Sequence, residues 1–171
     1  VVIAAGPWSS ECSQWINWPI PVNPLKGQIL RLSLPSGPLK CSFNSGHGYV
    51  GTKPDGLTWL GTTEEPVGFD DNPTSEARDY LISFLLEMLP DVDDAQIIHH
   101  TACLRPMSED GLPIIGKVPD LDNVYVATGA GRKGILLSTG MGKAISELIL
   151  NKESVLATPE LSLNRFDKTP V

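Results

Sequence analysis

Alternating apolar and polar positions predict β-strands through the first two thirds of the chain. Between residues 26 and 34, Gln28, Leu30 and Leu32 alternate with a second set of side chains, so we expect one face to be partly buried and the other exposed. The runs GYVGT and LTWLGTT flank Pro54-Asp55-Gly56, whose Asp-Gly pair favours the positive φ of a hairpin turn. Apolar runs predict further strands over residues 1–5, 97–104 and 123–128.

A period of three to four residues predicts two helices. The first is expected to open at Asn72, as the capping residue, with Pro73 in the first helical position, and to be closed by Pro90. The second is expected to run from Gly134 to about Leu150. The apolar face of the first consists of Ala77, Tyr80, Leu81, Phe84, Leu85 and Met88, and that of the second of Leu137, Met141, Ala144, Ile145 and Leu148.

Turn-forming residues are frequent in this sequence. Sixteen glycines and fifteen prolines favour a sheet-rich fold with short connections, and the extended run at residues 19–24 is the expected boundary between two lobes. Val1 opens inside an apolar strand, with neither an initiator methionine nor a signal peptide before it. We therefore expect the chain to be a fragment, or the ordered remainder, of a longer polypeptide.

Composition excludes several classes of protein. A hydrophobic content of 41% is normal for a globular protein, and no apolar run approaches the roughly 20 residues of a membrane span. The net charge of −7 argues against nucleic-acid binding, because there is no basic block to neutralise phosphates. Cys12, Cys41 and Cys103 are odd in number and widely spaced, so we expect reduced, buried thiols in a cytoplasmic protein.

Arg105 is the first candidate binding residue. It follows the apolar strand at residues 97–104 and precedes Pro106, which favours an extended backbone at this position. A guanidinium group is well suited to hold a carboxylate by two charge-assisted hydrogen bonds. The structural alternative is an ordinary surface salt bridge.

A glycine-rich turn, TGAGRKG at residues 128–134, lies between a predicted strand and a predicted helix. Backbone amides at a helix N-terminus attract negative charge. The spacing is not GxGxxG, so the turn itself does not indicate a dinucleotide pyrophosphate site. The alternative is a tight turn with a purely structural role.

Other polar residues carry weaker signals. Tyr49 offers a hydroxyl and an aromatic ring, and His47 offers a group that titrates near neutral pH; both also fit an ordinary strand end. His99 and His100 are adjacent on a strand and so point in opposite directions, and we expect no metal site. The serines and acidic residues lack the context of a hydrolase.

Taken together, five segments resemble the glycine oxidase and D-amino-acid oxidase or dehydrogenase group of FAD-dependent enzymes. The resemblance covers most of residues 1–150, in the same order along the chain. The two C-terminal segments are the most specific. The five segments are VVIAAGPWS, PVNPLKGQILRL, GYVGTKPDGLTWLGTTEEPVGFD, LRPMSEDGLPIIG and VYVATGAGRKGILLSTGMGKAISELI.

This resemblance implies an α+β fold. Residues 19–104 would form the substrate-binding lobe, a mostly antiparallel sheet with flanking helices. Residues 1–18 and 105–150 would supply the last strands and the C-terminal helix of a Rossmann-like FAD-binding lobe. Residues 151–171 would form a tail.

The resemblance also implies roles for individual residues. Arg105 would bind the α-carboxylate of the substrate, Tyr49 and, less directly, His47 would line the substrate pocket, and Arg132 would lie beside both substrate and flavin. The implied cofactor-binding residues are Gly6, Gly129, Ala130, Gly131, Arg132, Gly134, Ile135 and Leu136.

The implied activity is FAD-dependent oxidation of a small carboxylate-bearing amine. A hydride would pass from the α carbon to flavin N5, with no side chain acting as acid or base. The family's GxGxxG motif and acidic ribose-binding residue would precede Val1, so we expect this chain alone to bind FAD weakly or not at all and to be inactive. An N-terminal FAD-binding segment is the expected partner.

Two alternatives remain open from the sequence. A related flavoprotein could act on a small hydroxy acid, because the same arginine suits any small carboxylate. A non-catalytic carboxylate-binding or pairing module could instead work with a separate FAD-binding subunit. Self-association into a homo-oligomer is also left open.

Overall fold

The computed structural model describes residues 1–46, 48–90, 92 and 94–167, which form two compact units. Unit 1 comprises residues Val1–Leu25 and Arg105–Val171, and unit 2 comprises Lys26–Leu104. The strands are β1 (Val2–Ile3), β2 (Val22–Ser33), β3 (Phe43–Ser45), β4 (Gly48–Thr52), β5 (Thr58–Gly61), β6 (Gln96–Ser108), β7 (Ile114–Lys117) and β8 (Tyr125–Thr128). The α-helices are α1 (Ser13–Ile16), α2 (Ser75–Met88) and α3 (Gly134–Asn151).

Unit 1 contains a three-stranded sheet in the order β1-β8-β7. β1 is parallel to β8, whereas β7 is antiparallel to β8. Ile114 and Val126 pack into one apolar cluster with Leu163, while their neighbours Ile115 and Tyr125 pack into another cluster that includes α3. Burial on both faces explains why these strands are apolar runs without alternation.

The long helix α3 covers one face of this sheet. It starts at the predicted residue and ends one residue beyond the predicted end. Met141, Ala144 and Ile145 are buried, and Leu137 and Leu148 pack against them, which confirms the predicted inward face. Among the described residues, no helix has both the length and the apolar character needed to cross a membrane.

Unit 2 is built on a five-stranded sheet in the order β3-β4-β5-β2-β6. The pairs β2–β5, β3–β4 and β4–β5 are antiparallel, and β4 and β5 form the predicted hairpin, with Gly56 at φ +82° in its turn. Gln28, Leu30 and Leu32 are buried, which confirms the alternation along β2. These mixed sheets and flanking helices confirm the predicted α+β fold class.

Helix α2 packs on the buried face of this sheet. Ala77, Leu81, Phe84 and Leu85 are buried, but Tyr80, predicted to face inward, is 47% exposed. The predicted start was also wrong. Thr74 is the capping residue, and its hydroxyl accepts a hydrogen bond from the Ala77 amide.

A buried lysine joins the start of β2 to the segment before α2. Lys26 is 1% exposed, and its Nζ lies 2.9 Å from Asp70 Oδ2 and 3.4 Å from Glu65 Oε2. Nζ also donates to the Asn72 carbonyl at 3.2 Å. This contact holds Asn72 outside the helix, which explains why α2 begins later than the local sequence predicts.

Three further predictions need correction. β6 continues to Ser108, so Arg105 lies inside a strand and not at its end. β8 begins at Tyr125 because Asn123 adopts a left-handed conformation at φ +60°. Cys12 is buried as predicted, but the other two cysteines, Cys41 and Cys103, are exposed; all three are free thiols.

Candidate functional site

The end of β6 and the glycine-rich turn are neighbours in unit 1. Met107 of β6 forms an isolated antiparallel bridge with Ala130 in the turn. This bridge extends β6 past Pro106 and places the residues that follow Arg105 against residues 129–131. Arg105 itself is half-buried.

The turn requires glycine at two positions. Gly129 has φ +73° and Gly131 has φ +53°, both in the left-handed region that side chains disfavour. A Cβ atom on Gly131 would also lie 2.5 Å from the Met107 sulfur, and one on Gly129 would lie 3.1 Å from the Ser108 Cβ. The sequence GAG therefore lets the turn approach β6 closely with its backbone.

Part of the predicted cofactor set lines a cavity of about 380 Å³ within unit 1. Gly6, Gly129, Ala130 and Gly134 lie in its wall, together with Pro106. Gly131 and Arg132 lie in the same turn but do not line this cavity, and Arg132 is exposed. Other wall residues are Val2, Ala4, Ala127, Thr128, Ser138, Met141, Gly142 and Ile145.

The remaining two members of the predicted cofactor set, Ile135 and Leu136, lie in the first turn of α3. They are 95% and 77% exposed, and neither lines the cavity. Within the described residues, the first turn of α3 contains no acidic side chain and its N-terminus has no side-chain cap. The 3-10 turn Gly131–Lys133 leads directly into the helix, and the Gly134 amide donates to the Gly131 carbonyl, so the positive end of the helix dipole, with no acidic side chain on it, is the feature that favours a negative group here.

A buried pair of hydroxyls supports the cavity wall, and the sequence did not reveal it. Ser9 Oγ and Thr128 Oγ1 are 2.7 Å apart, and they lie 2.7 Å and 3.2 Å from the Gly6 carbonyl oxygen. Their two hydroxyl protons can make two of these three hydrogen bonds at a time. The two residues are 119 positions apart. Their contact ties the short 3-10 helix Gly6–Cys12 to the end of β8, and so positions Gly6 in the cavity wall.

A second support comes from the C-terminal tail. Arg165 contacts Asp110 through Nε at 2.6 Å and through Nη2 at 3.0 Å, and it donates to the Leu112 and Ser162 carbonyls. The hydrogen bond from Arg165 lowers the pKa of Asp110 to about 2. The pair therefore fixes the turn that directly follows β6.

The other predicted substrate-binding residues belong to unit 2. Tyr49 is half-buried on β4, opposite Gly61 of β5. His47 lies outside the described residues. No group of three or more potential metal ligands occurs among the residues that the structure describes, and both His99 and His100 lie in β6.

Comparison with known proteins relates this arrangement to a family. The family described as FAD dependent oxidoreductase (DAO) matches residues 1–148. Glycine oxidase from Pseudomonas aeruginosa is 34% identical over 156 residues, which cover 91% of this chain and 43% of that protein. D-amino acid dehydrogenase from Vibrio atlanticus is 28% identical over 168 residues, covering 96% of this chain and 40% of that protein.

A solved structure shows the same fold. The crystal structure of glycine oxidase from Geobacillus kaustophilus superposes with a TM-score of 0.90 at 30% identity, covering 96% of this chain and 45% of that chain. The chain thus spans less than half the length of the relatives that it matches.

Proposed function

This chain belongs to the DAO family of FAD-dependent oxidoreductases, and we propose that it forms the substrate-binding and C-terminal part of an enzyme that oxidises a small amino acid or related amine. The observation that carries this proposal is the bridge between Met107 and Ala130. It joins the strand of the candidate carboxylate-binding residue, Arg105, to the turn that would face the flavin.

The residues of unit 1 fit one side of a flavin ring. The cavity wall is mostly apolar and includes Gly6, Gly129 and Gly134, so a planar ring can approach the backbone closely. The N-terminus of α3, which has no acidic side chain in its first turn, presents the positive end of the helix dipole to an electron-rich edge of that ring. When bound, FAD supplies the acceptor of a hydride from the substrate's α carbon, at N5.

The chain's own contribution is binding and orientation. Arg105 holds the α-carboxylate of the substrate by charge-assisted hydrogen bonds, and Arg132 adds positive charge beside the turn. Tyr49 lines the pocket, with His47 in a lesser role. Fixing the carboxylate aligns the α carbon of the substrate. This positioning supplies most of the rate acceleration, without an acidic or basic side chain. The oxidised product leaves as an imine, which water hydrolyses.

The proposed partner of this chain is a segment that carries further FAD-binding residues. Exposed Ile135 and Leu136 on α3, and the edge position of β1 in its sheet, support contact with such a segment. The chain alone is expected to bind FAD weakly or not at all. A cytoplasmic location remains a prediction.

Amine oxidation is favoured over the hydroxy-acid alternative because the matched relatives are a glycine oxidase and a D-amino acid dehydrogenase. The test is anaerobic reduction of bound flavin in a protein that joins this chain to an FAD-binding segment. Loss of flavin absorbance with glycine or a D-amino acid, but not with glycolate, is expected. Reduction by glycolate alone would establish the hydroxy-acid alternative. A colourless protein that still binds small carboxylates would establish the non-catalytic module.

Arg105→Leu tests the carboxylate site in the same protein. The KM for the amino acid should rise by about 100-fold or more, because the charge-assisted contact with the substrate carboxylate is lost, and Arg105→Lys should recover part of the loss. Arg78→Leu, an exposed arginine on α2, is the matched control and should leave KM unchanged. An unchanged KM in Arg105→Leu would remove Arg105 from the site.

A further inference from the structure

Unit 1 has a second cavity at the opposite end of α3 from the glycine-rich turn. It has a volume of about 490 Å³, and its wall is formed by the end of β7, the start of β8 and the C-terminal end of α3. The helix begins at Gly134, beside the turn, and its 18 residues extend for about 27 Å. No residue lines both cavities. The second cavity is termed the Tyr125 pocket below, and its wall residues are Lys117, Asp122, Asn123, Tyr125, Leu148 and Lys152.

Tyr125 brings a polar group to a largely apolar part of this wall. The residue is only 5% exposed, and it packs in one cluster with Met141 and Ile145 of α3. Its hydroxyl makes no hydrogen bond within the described residues, yet it is not one of the fully enclosed polar atoms there. A buried polar group of a folded protein nearly always has a partner. Because Tyr125 lines the pocket, a ligand in the pocket can supply that partner.

Two lysines lie on either side of Tyr125 in the wall. Lys117 is the cross-strand partner of Tyr125 in the β7–β8 pair, so the two side chains are on the same face of the sheet. Lys152 directly follows α3, where it adopts a left-handed conformation at φ +65°. Every polar side chain of the wall other than Asp122 can donate a hydrogen bond. This wall therefore favours an anionic ligand.

The carboxylate of Asp122 shows that the lysines attract negative charge. Lys117 Nζ lies 2.9 Å from Asp122 Oδ1. The hydrogen bond from Lys117 lowers the pKa of Asp122, and the charge of Lys152 lowers that pKa further. Asp122 is 93% exposed, so this ion pair is weak and an external anion can replace the carboxylate. The C-terminal end of α3 carries about half a negative charge, which is less than the two ammonium charges.

We propose that the Tyr125 pocket binds the phosphate group of a small phosphorylated organic molecule. A phosphate monoester carries about two negative charges at neutral pH, which matches two ammonium groups. Lysine is a point charge without the planar fork that suits a carboxylate, so the tetrahedral anion is favoured. Leu148 and the ring of Tyr125 offer apolar surface to the rest of the molecule. Binding here requires no FAD, so its failure and the failure of the proposed oxidase activity are separable.

The test follows the three tyrosines of the chain by ¹³C NMR, with the label on Cζ, the carbon that carries the hydroxyl. The chain is titrated with phenyl phosphate at constant pH and at constant ionic strength set with chloride. Tyr125→Phe identifies the Tyr125 signal, because it removes the hydroxyl and keeps the ring. The Tyr125 signal should shift and saturate in the millimolar range of a weak small ligand. The signals of Tyr49 and Tyr80 should stay in place.

Charge variants assign the binding to the Tyr125 pocket. Lys117→Gln and Lys152→Gln should each weaken the binding of phenyl phosphate by about fivefold, because each removes one exposed cation. Asp122→Asn should strengthen binding by about threefold, because it removes the carboxylate that competes for Lys117. Lys143→Gln, at an exposed position of α3 outside the pocket, is the control and should bind as before. All of these positions are exposed, so the variants are expected to fold.

Several results would overturn the proposal. One is a Tyr125 signal that does not saturate with phenyl phosphate. Another is equal affinity for benzoate, which has the same ring with a carboxylate, or for inorganic phosphate, which lacks the ring. Lysine variants that bind as well as Lys143→Gln would place the anion outside the pocket. Weaker binding in Asp122→Asn would show that the carboxylate does not compete with the ligand, and would also contradict the proposal.

Discussion

Unit 1 and unit 2 satisfy their buried polar groups in different ways. In unit 2 the buried group is a charge: Lys26 contacts Asp70 and Glu65, and Gln28 links Glu65 to Thr74. In unit 1 the buried groups at the cavity are neutral hydroxyls, Ser9 and Thr128, around a carbonyl.

The pKa shifts reflect this difference. The hydrogen bond to Asp70 raises the pKa of Lys26, and the reciprocal contact lowers the pKa of Asp70 to about 2. Burial would raise the pKa of Glu65, but hydrogen bonds from Thr63, Gln28 and Lys26 outweigh it and lower that pKa. In unit 2, the charged groups around Lys26 therefore form ion pairs with one another. The cavity wall of unit 1 at Gly6 has no charged side chain, and its buried polar groups are two hydroxyls and a carbonyl.

The largest expected effect is in unit 2. Lys26→Met should lower the thermal midpoint by about 10 °C, because it leaves Glu65 and Asp70 without their shared cation. The thermal midpoint is measured by following unfolding with circular dichroism. Lys40→Met, at an exposed position of the same unit, should change the midpoint little. Equal midpoints for both variants would show that the buried charge of Lys26 does not stabilise unit 2.

A smaller effect is expected at the hydroxyl pair of unit 1. Thr128→Val keeps the shape of the side chain and removes the contacts of its hydroxyl with Ser9 and the Gly6 carbonyl, so unfolding free energy should fall by about 1–2 kcal/mol. Thr139→Val, exposed on α3, is the matched control. Denaturant titration measures the unfolding free energy of Thr128→Val and of the control. The same measurement on Ser9→Ala and on the double variant Ser9→Ala/Thr128→Val gives the coupling energy between the two hydroxyls. Additive single effects would mean that the two hydroxyls act independently.

The smallest expected effect on unfolding free energy concerns the ion pair between Asp110 and Arg165 of the tail. The folded pKa of Asp110, about 2, lies below its usual 3.8, so the unfolded chain binds more protons between these values. The stabilisation is therefore present above pH 3.8 and is lost as pH falls through about 2. Because Asp110 is about one third exposed, we expect only about 1 kcal/mol.

Arg165→Gln isolates this contribution. The difference in unfolding free energy between the parent chain and Arg165→Gln should be present at pH 7 and should close as pH approaches 2. A difference that persists at pH 2 would assign the stabilisation to the hydrogen bonds from Arg165 to the Leu112 and Ser162 carbonyls instead.

Local patterns predicted much of the fold. Apolar spacing located α3 to within a residue at each end, and the alternation along β2 identified its buried face. The start of α2 was missed because Asn72 and Pro73 resemble a helix start, while the Asn72 carbonyl is held by Lys26 from a distant strand. Helix propensity depends on neighbouring residues, so it cannot predict a contact with a distant strand.

The candidate site was predicted in part. The motifs located Arg105 and the glycine turn, but their proximity rests on the bridge from Met107 to Ala130. Ser9 has no sequence signal that separates it from an ordinary surface serine. Arg165 contacts Asp110 across 55 positions and lies beyond the residues that the family match covers.

By itself, the sequence determined the family, the kinds of elements and which faces of them are apolar, because these depend on motifs and on short-range periodicity. Tertiary structure alone decided which polar groups are buried and paired. A lysine on an alternating strand looks the same whether it meets water or a carboxylate 44 positions away, and only the folded chain brings the carboxylate to it.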